Sequence, residues 1–173
     1  MAVDAAVKLE RPLLVKGEPG TGKTELPIQF AKDLDLELFV FPVGSKSTVD
    51  QFVAKFDHVK YLRDSQIEVL NTQREEKGLS SKLSTGGRST EQMGDYIIKG
   101  PAAQAFSSPN SVLLIDEIDK ADIEFPNDLL LELDKMEFYV YELQKTIKAK
   151  HRPIIIITSN NEKDLPDAFL RRC

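Results

Sequence analysis

The sequence predicts a three-layer α/β sandwich built on a mostly parallel sheet, and three observations carry that expectation. Four short apolar runs recur along the 173 residues: "PLLVKG" near Pro12, "ELFVFPV" near Glu37, "SVLLIDE" near Ser111 and "RPIIIITSN" near Arg152. Each is almost continuously apolar rather than alternating, as in parallel strands covered on both faces. Helix-forming stretches lie between them, and strands alternating with helices give this architecture. Three of the runs end in Gly, Asp-Glu or Ser-Asn. In open parallel sheets, ligands bind at those C-terminal strand ends.

The intervening elements follow in order. Residues 22–34 carry Leu26, Phe30 and Leu34 at four-residue spacing, which predicts a helix with one apolar stripe. Pro27 falls inside it, where a proline costs up to about 3 kcal/mol, so a kink or local widening is expected. Residues 59–76 form a long mixed segment rich in helix formers, with Leu62, Val69 and Leu70. Residues 77–89, "KGLSSKLSTGGRS", read as a mobile surface loop. Ser89 with Gln92 three residues on predicts a capped helix that reaches Ile98 and stops before Pro101. Residues 123–136 predict another helix, with Leu129, Leu130 and Leu133 inward. Residues 137–150, "EFYVYELQKTIKAK", have two short β-like pieces around "ELQK" and predict a hairpin inserted before the last strand.

Bulk composition narrows the function. Apolar residues at 41% and charged residues at 29% suit a globular domain with a real core. A net charge of −5 gives no electrostatic drive toward nucleic acid or anionic membrane. The single cysteine, Cys173, excludes an intrachain disulfide and a cysteine metal cluster. His58 and His151 lack zinc-ligand spacing. No apolar run is long enough to span a bilayer, and the start lacks the apolar core of a signal peptide. A cytoplasmic protein is expected.

Chemistry concentrates at the strand ends. "GEPGTGKT" fits G-x-x-x-x-G-K-[ST], and it follows an apolar run and opens a helical pattern. Gly17, Glu18, Pro19, Gly20, Thr21 and Gly22 would curl the backbone so that its N–H groups face an anion at a helix N-terminus. Lys23 would add a compact positive charge on the β- and γ-phosphates, and the Thr24 hydroxyl could sit on Mg²⁺. "SVLLIDEIDKAD" places Asp116 and Glu117 directly after the third run. Asp116 would hold the magnesium, and Glu117 would take a proton from an attacking water. Asp119, Lys120 and Asp122 fit the exposed first turn of the next helix. If the fourth strand lies between the loop strand and the acidic strand, an amide at its end could reach both the water and the γ-phosphate. Asn160 is the first amide there, with Asn161 as a substitute. Arg171 and Arg172 close the chain, and such arginines can stabilise transition-state charge on a neighbour's nucleotide.

Together these residues resemble the AAA+ ATPases, most closely their MoxR-like branch. The matching stretches are "RPLLVKGEPGTGKT", "KGPAAQAF", "VLLIDEIDKAD", "LLLELDKMEFYV", "IIIITSNN" and "LPDAFLRRC", spread over residues 11–173. The resemblance implies a P-loop NTPase core with ATP and Mg²⁺ as ligands, and a ring, commonly a hexamer, that remodels or activates partner proteins. Some partners of that branch carry a von Willebrand factor A-type domain. It also implies Glu117 as base, Asn160 as sensor 1, Arg172 as trans-acting arginine finger ahead of Arg171, and the hairpin as the pre-sensor insertion. Residues 77–89 would fall in the helix-2 insertion. The family continues with a fifth core strand and a helical lid. Residues 1–173 are therefore expected to be one nucleotide-binding core domain cut before both, with weak turnover alone.

Other functions remain open on sequence. A nucleotide-gated interaction module would bind without hydrolysing, and a DNA-associated AAA+ ATPase would share the "RRC" ending. A small P-loop kinase is disfavoured because "LLIDE" with "TSNN" points to water as acceptor. A GTPase lacks an Asn-Lys-x-Asp stretch to read guanine.

Overall fold

The computed structural model describes residues 2–79, 81–141 and 143–173. A short helix α1 (Ala2–Leu9), not foreseen in the sequence, precedes strand β1 (Leu13–Lys16) and helix α2 (Glu25–Asp33). Strand β2 (Glu37–Pro42), helix α3 (Val49–Phe52), strand β3 (Ala54–Phe56) and the long helix α4 (His58–Glu76) follow. After a 3₁₀ turn at Met93–Tyr96 come β4 (Ile97–Lys99), α5 (Pro101–Ala105) and β5 (Ser111–Asp116). The chain closes with α6 (Glu124–Lys135), β6 (Glu137–Val140), β7 (Lys145–Lys148), β8 (Ile154–Ser159) and α7 (Asp167–Leu170).

The four foreseen runs form one parallel sheet in the order β1-β8-β5-β2. The last strand in sequence thus lies between the loop strand and the acidic strand, as the site argument required. Its central position explains the unbroken apolar runs. Val112, Leu113, Leu114, Ile115, Ile156 and Ile157 are fully buried, each contributing at most about 1.5–3 kcal/mol of burial. Alternate residues serve opposite faces. Leu113, Ile115, Ile155 and Ile157 meet Phe41, Phe106 and Leu129 in the larger core. Val112 and Ile156 meet Ala31 and Phe30 of α2 on the other face.

Several local expectations are corrected. The buried face of α2 is Pro27 and Ala31, while Leu26 and Leu34 remain 41% and 55% exposed. The helix runs unbroken through Pro27, because it starts only at Glu25. The proline sits in the first turn, where its missing N–H has no helical partner to lose. On α4 the exposed residues include Leu62, Val69 and Leu70, and the buried one is Asp64.

The helix expected from Ser89 to Ile98 does not form. Ser89 Oγ accepts from the Glu91 N–H at 3.3 Å, and Ile97–Lys99 instead pairs antiparallel with β3. Gly94 weakens any helix there, and local Ser and Thr bonds compete with it. Nor is the segment before it a free loop along its described length. Asp64 accepts from Arg88 Nε at 2.9 Å and from the Tyr96 hydroxyl at 3.2 Å. Glu68 accepts from the Thr90 N–H at 3.0 Å and from its hydroxyl. Ser80 of that stretch lies outside the described residues.

The expected stop before Pro101 is a helix start instead, with proline in the first turn of α5. Glycine is required just before it, since a Cβ on Gly100 would stand 2.5 Å from the carbonyl oxygens of Gln51 and Phe52.

The hairpin before the last strand is present. β6 and β7 pair antiparallel, Glu137 opposite Lys148 and Val140 opposite Lys145. Phe138 anchors it on Phe106 with ring centroids 5.7 Å apart. Glu142, at the expected turn, lies outside the described residues.

Candidate functional site

Three strand ends build the site. β1 delivers the glycine loop, whose first N–H, that of Gly17, donates to Ser159 O at the end of β8 (3.2 Å). Gly20 and Gly22 turn the loop with φ of +78° and +79°, a region that only glycine enters without strain. Thr21 Oγ1 donates back to Glu18 O at 2.8 Å, and Lys23 Nζ donates to the same carbonyl at 2.7 Å. The N-terminus of α2 follows directly and favours negative charge beside the loop.

Asp116, at the end of β5, meets this loop. Its Oδ1 accepts from Thr24 Oγ1 at 3.0 Å and from Thr158 Oγ1 at 2.6 Å. Thr158 belongs to β8 and is fully buried. Its hydroxyl also accepts the Glu117 N–H at 2.8 Å. One hydroxyl therefore joins both acids of the pair, and a buried hydroxyl needs such partners. The sequence reading missed Thr158, although its place among the polar residues ending the fourth run was the available signal.

Glu117 follows in the left-handed region, at φ 58° and ψ 50°. This turns the chain so that Glu117 and Asn160 wall the same cleft. Asn160 Nδ2 donates to Glu117 Oε1 at 2.9 Å, and Lys120 pairs with Oε2. The Lys120 hydrogen bond, then that from Asn160, hold the Glu117 carboxyl below the usual range.

Asp119 is not part of an exposed turn. It is 2% exposed, and its carboxylate accepts from the backbone N–H groups of Asn160 (3.1 Å) and Glu162 (2.8 Å). Burial pushes its carboxyl up, but these backbone donors outweigh that and hold it below the ordinary range. Lys163 returns the clasp by donating to Ala121 O at 3.0 Å. The loops after β5 and β8 are thereby fastened to each other. Asn161 turns away, its N–H donating to Ser159 Oγ at 3.2 Å.

The resulting cleft of ≈ 300 Å³ is lined by Gly20, Gly22, Lys23, Thr24, Glu117 and Asn160, with Pro19 at its rim. Backbone donors, one lysine and a helix N-terminus suit a phosphate chain. The Thr24 hydroxyl and Asp116 carboxylate suit Mg²⁺, a hard cation that takes oxygen ligands and keeps company with phosphates. Among the described residues no group of three or more His, Cys, Asp or Glu could hold a metal by itself. A magnesium ion here would take its remaining oxygen ligands from phosphate and water. Arg172 stands elsewhere: it pairs with Asp134 of α6 and donates to Ala168 O at 3.0 Å. No described helix is long and apolar enough to cross a membrane.

Comparison with known proteins agrees with this architecture. A family model described as an AAA domain of the dynein-related subfamily matches residues 12–173. Among solved structures, the fold is similar to that of a presumed ATPase from Cytophaga hutchinsonii ATCC 33406, with a TM-score of 0.59 and 16% identity. That match covers 96% of this chain and 41% of the other, so the chain spans about two fifths of its neighbour's length. At that identity the likeness speaks for the fold alone. No curated protein matches the sequence. With nearly its whole length matched by the family model, a parallel sheet in the order β1-β8-β5-β2 and a glycine loop facing an acidic strand end, the chain belongs to the AAA domain family, in its dynein-related subfamily.

Proposed function

We propose that residues 1–173 form one ATP-binding and Mg²⁺-dependent ATP-hydrolysing domain of a ring-forming, MoxR-like ATPase that acts on partner proteins in the cytoplasm. The observation that carries the reading is the bonded path Thr24–Asp116–Thr158–Glu117–Asn160. It links Thr24 of the glycine loop, through Asp116 and Thr158, to Glu117 and Asn160, which line the same cleft as Lys23, and so supports a shared nucleotide site.

The residues divide the work. The loop that Gly17 opens and the start of α2 bind the phosphate chain through the backbone N–H groups that follow Gly17, whose own N–H is held by Ser159 O. Lys23 exchanges its bond to Glu18 O for phosphate oxygens. Thr24 and Asp116 would hold Mg²⁺, which would neutralise charge on the β- and γ-phosphates. Glu117 accepts a proton from water, and Asn160 orients both the carboxylate and that water. Arg172, released from Asp134, serves a neighbouring copy's nucleotide, with Arg171 as the alternative. Any client, including one with a von Willebrand factor A-type domain, would be recognised outside this cleft.

A second reading, a nucleotide-gated interaction module, draws support from the engaged state of Glu117. Both of its oxygens are bonded, one by Asn160 and one by Lys120. The two readings separate in a dilution series. If a neighbour's arginine completes the site, phosphate release per chain rises with protein concentration and Mg²⁺. If the domain only binds, release stays at background while nucleotide binding persists.

A further inference from the structure

Two Arg-Pro dipeptides open neighbouring parallel strands: Arg11-Pro12 leads into β1 and Arg152-Pro153 into β8. Proline biases the residue before it toward extended backbone, so both arginines stand at the N-terminal end of the sheet. The chain after α7 returns to the same place. Arg11, Arg152, Arg171 and Arg172 line one pocket of ≈ 270 Å³, with Leu9 and Leu133 among its apolar walls. Glu10 and Asp134 are its acids. Four guanidinium groups against two carboxylates leave two positive charges in excess, within a chain of net charge −5.

These arginines are partly fixed. Arg11 Nη1 donates to Arg171 O at 3.4 Å, and Arg152 donates to Glu10 O and stands 3.8 Å from its carboxylate. Arg172 is held by Asp134 and Ala168 O. Among the described residues the Arg171 guanidinium has no hydrogen-bonded or ion-pair partner. Each guanidinium offers five donors, so most of the pocket's donors are unspent. The glycine loop leaves the opposite end of β1, about 13 Å away along the strand.

We infer that this pocket is a second anion site, built to take a phosphate chain. Arginine forks match phosphate oxygens bidentately. The volume is close to the ≈ 300 Å³ of the glycine-loop cleft, so there is room for a phosphate chain. The occupant is a free polyphosphate chain, an assignment that does not rest on the ring reading above.

Tripolyphosphate titrated into the Lys23→Ala variant reads the pocket without the glycine loop. Binding should persist and weaken by about tenfold or more in a Lys23→Ala variant that also carries R11Q, R152Q and R171Q. R171Q alone has no partner to lose on folding and should weaken binding measurably. If Lys23→Ala chains bind no tripolyphosphate, or bind it equally with and without the arginine substitutions, the inference is overturned. If wild type and Lys23→Ala bind equally while the arginine variants lose binding, the pocket stands and the glycine-loop reading fails.

Discussion

Asn160 donates its side-chain amide to Glu117 at 2.9 Å while its backbone N–H is held 3.1 Å from the buried Asp119 carboxylate. The amide that would orient water is thus placed by a buried acid on the loop after β5, and not by its own strand alone. Asp119→Asn replaces one acceptor oxygen with a donor facing N–H groups. We expect a stability loss of about 1–3 kcal/mol and a larger fall in kcat than in nucleotide affinity. Thermal unfolding together with steady-state phosphate release checks both.

Thr158 joins Asp116 and Glu117 through one hydroxyl. Thr158→Val keeps the shape and strands the Glu117 N–H, so it should cost about 1–3 kcal/mol. Thr158→Ser keeps the hydroxyl and should retain most activity. Equal behaviour of the two variants in unfolding and turnover assays would count against this linking role.

Gly100→Ala tests packing away from the cleft. The added Cβ meets two carbonyl oxygens at 2.5 Å, so the contact between α5 and the end of α3 must open. A destabilisation of about 3 kcal/mol is expected, read as a lowered denaturation midpoint.

Acid should release the segment clasped to α4. Burial pushes Asp64 up, but its bonds and charge interactions with Arg88, and the Tyr96 hydroxyl, outweigh this and hold its carboxyl below the ordinary 3.8. The Thr90 hydroxyl and N–H hold Glu68 below the ordinary 4.5. Both folded values lie below the unfolded ones, so the stabilisation is fully present above those ordinary values. It is lost as pH falls through the lowered folded values. Amide exchange at Thr90, corrected for intrinsic rate, should lose protection over that acidic range and not between pH 6 and 8. Arg88→Gln should move the loss to higher pH.

Much of the fold was legible because its signals are local. Four unbroken apolar runs fit parallel strands, though only the central β5 and β8 are buried along most of their length, and "GEPGTGKT" and "LLIDE" each carry their chemistry in a fixed spacing. What escaped depends on partners far along the chain. Leu26 and Leu34 have helical spacing, yet the sheet lies under Pro27 and Ala31. Ser89 had a capping pattern, but Tyr96 and Ile97 are drawn to Asp64 and β3, and those partners win over the local preference. Thr158 and Asp119 escaped for the same reason, since their bonds cross about 40 residues of sequence to reach Glu117 and Asn160.

The most direct test of the account is paired measurement of ATP binding and phosphate release for wild type and Glu117→Gln at ring-forming concentration with Mg²⁺. The account predicts unchanged or tighter binding and phosphate release reduced by at least about 10²-fold in the variant. Equal phosphate release from the two proteins, above background, would contradict it.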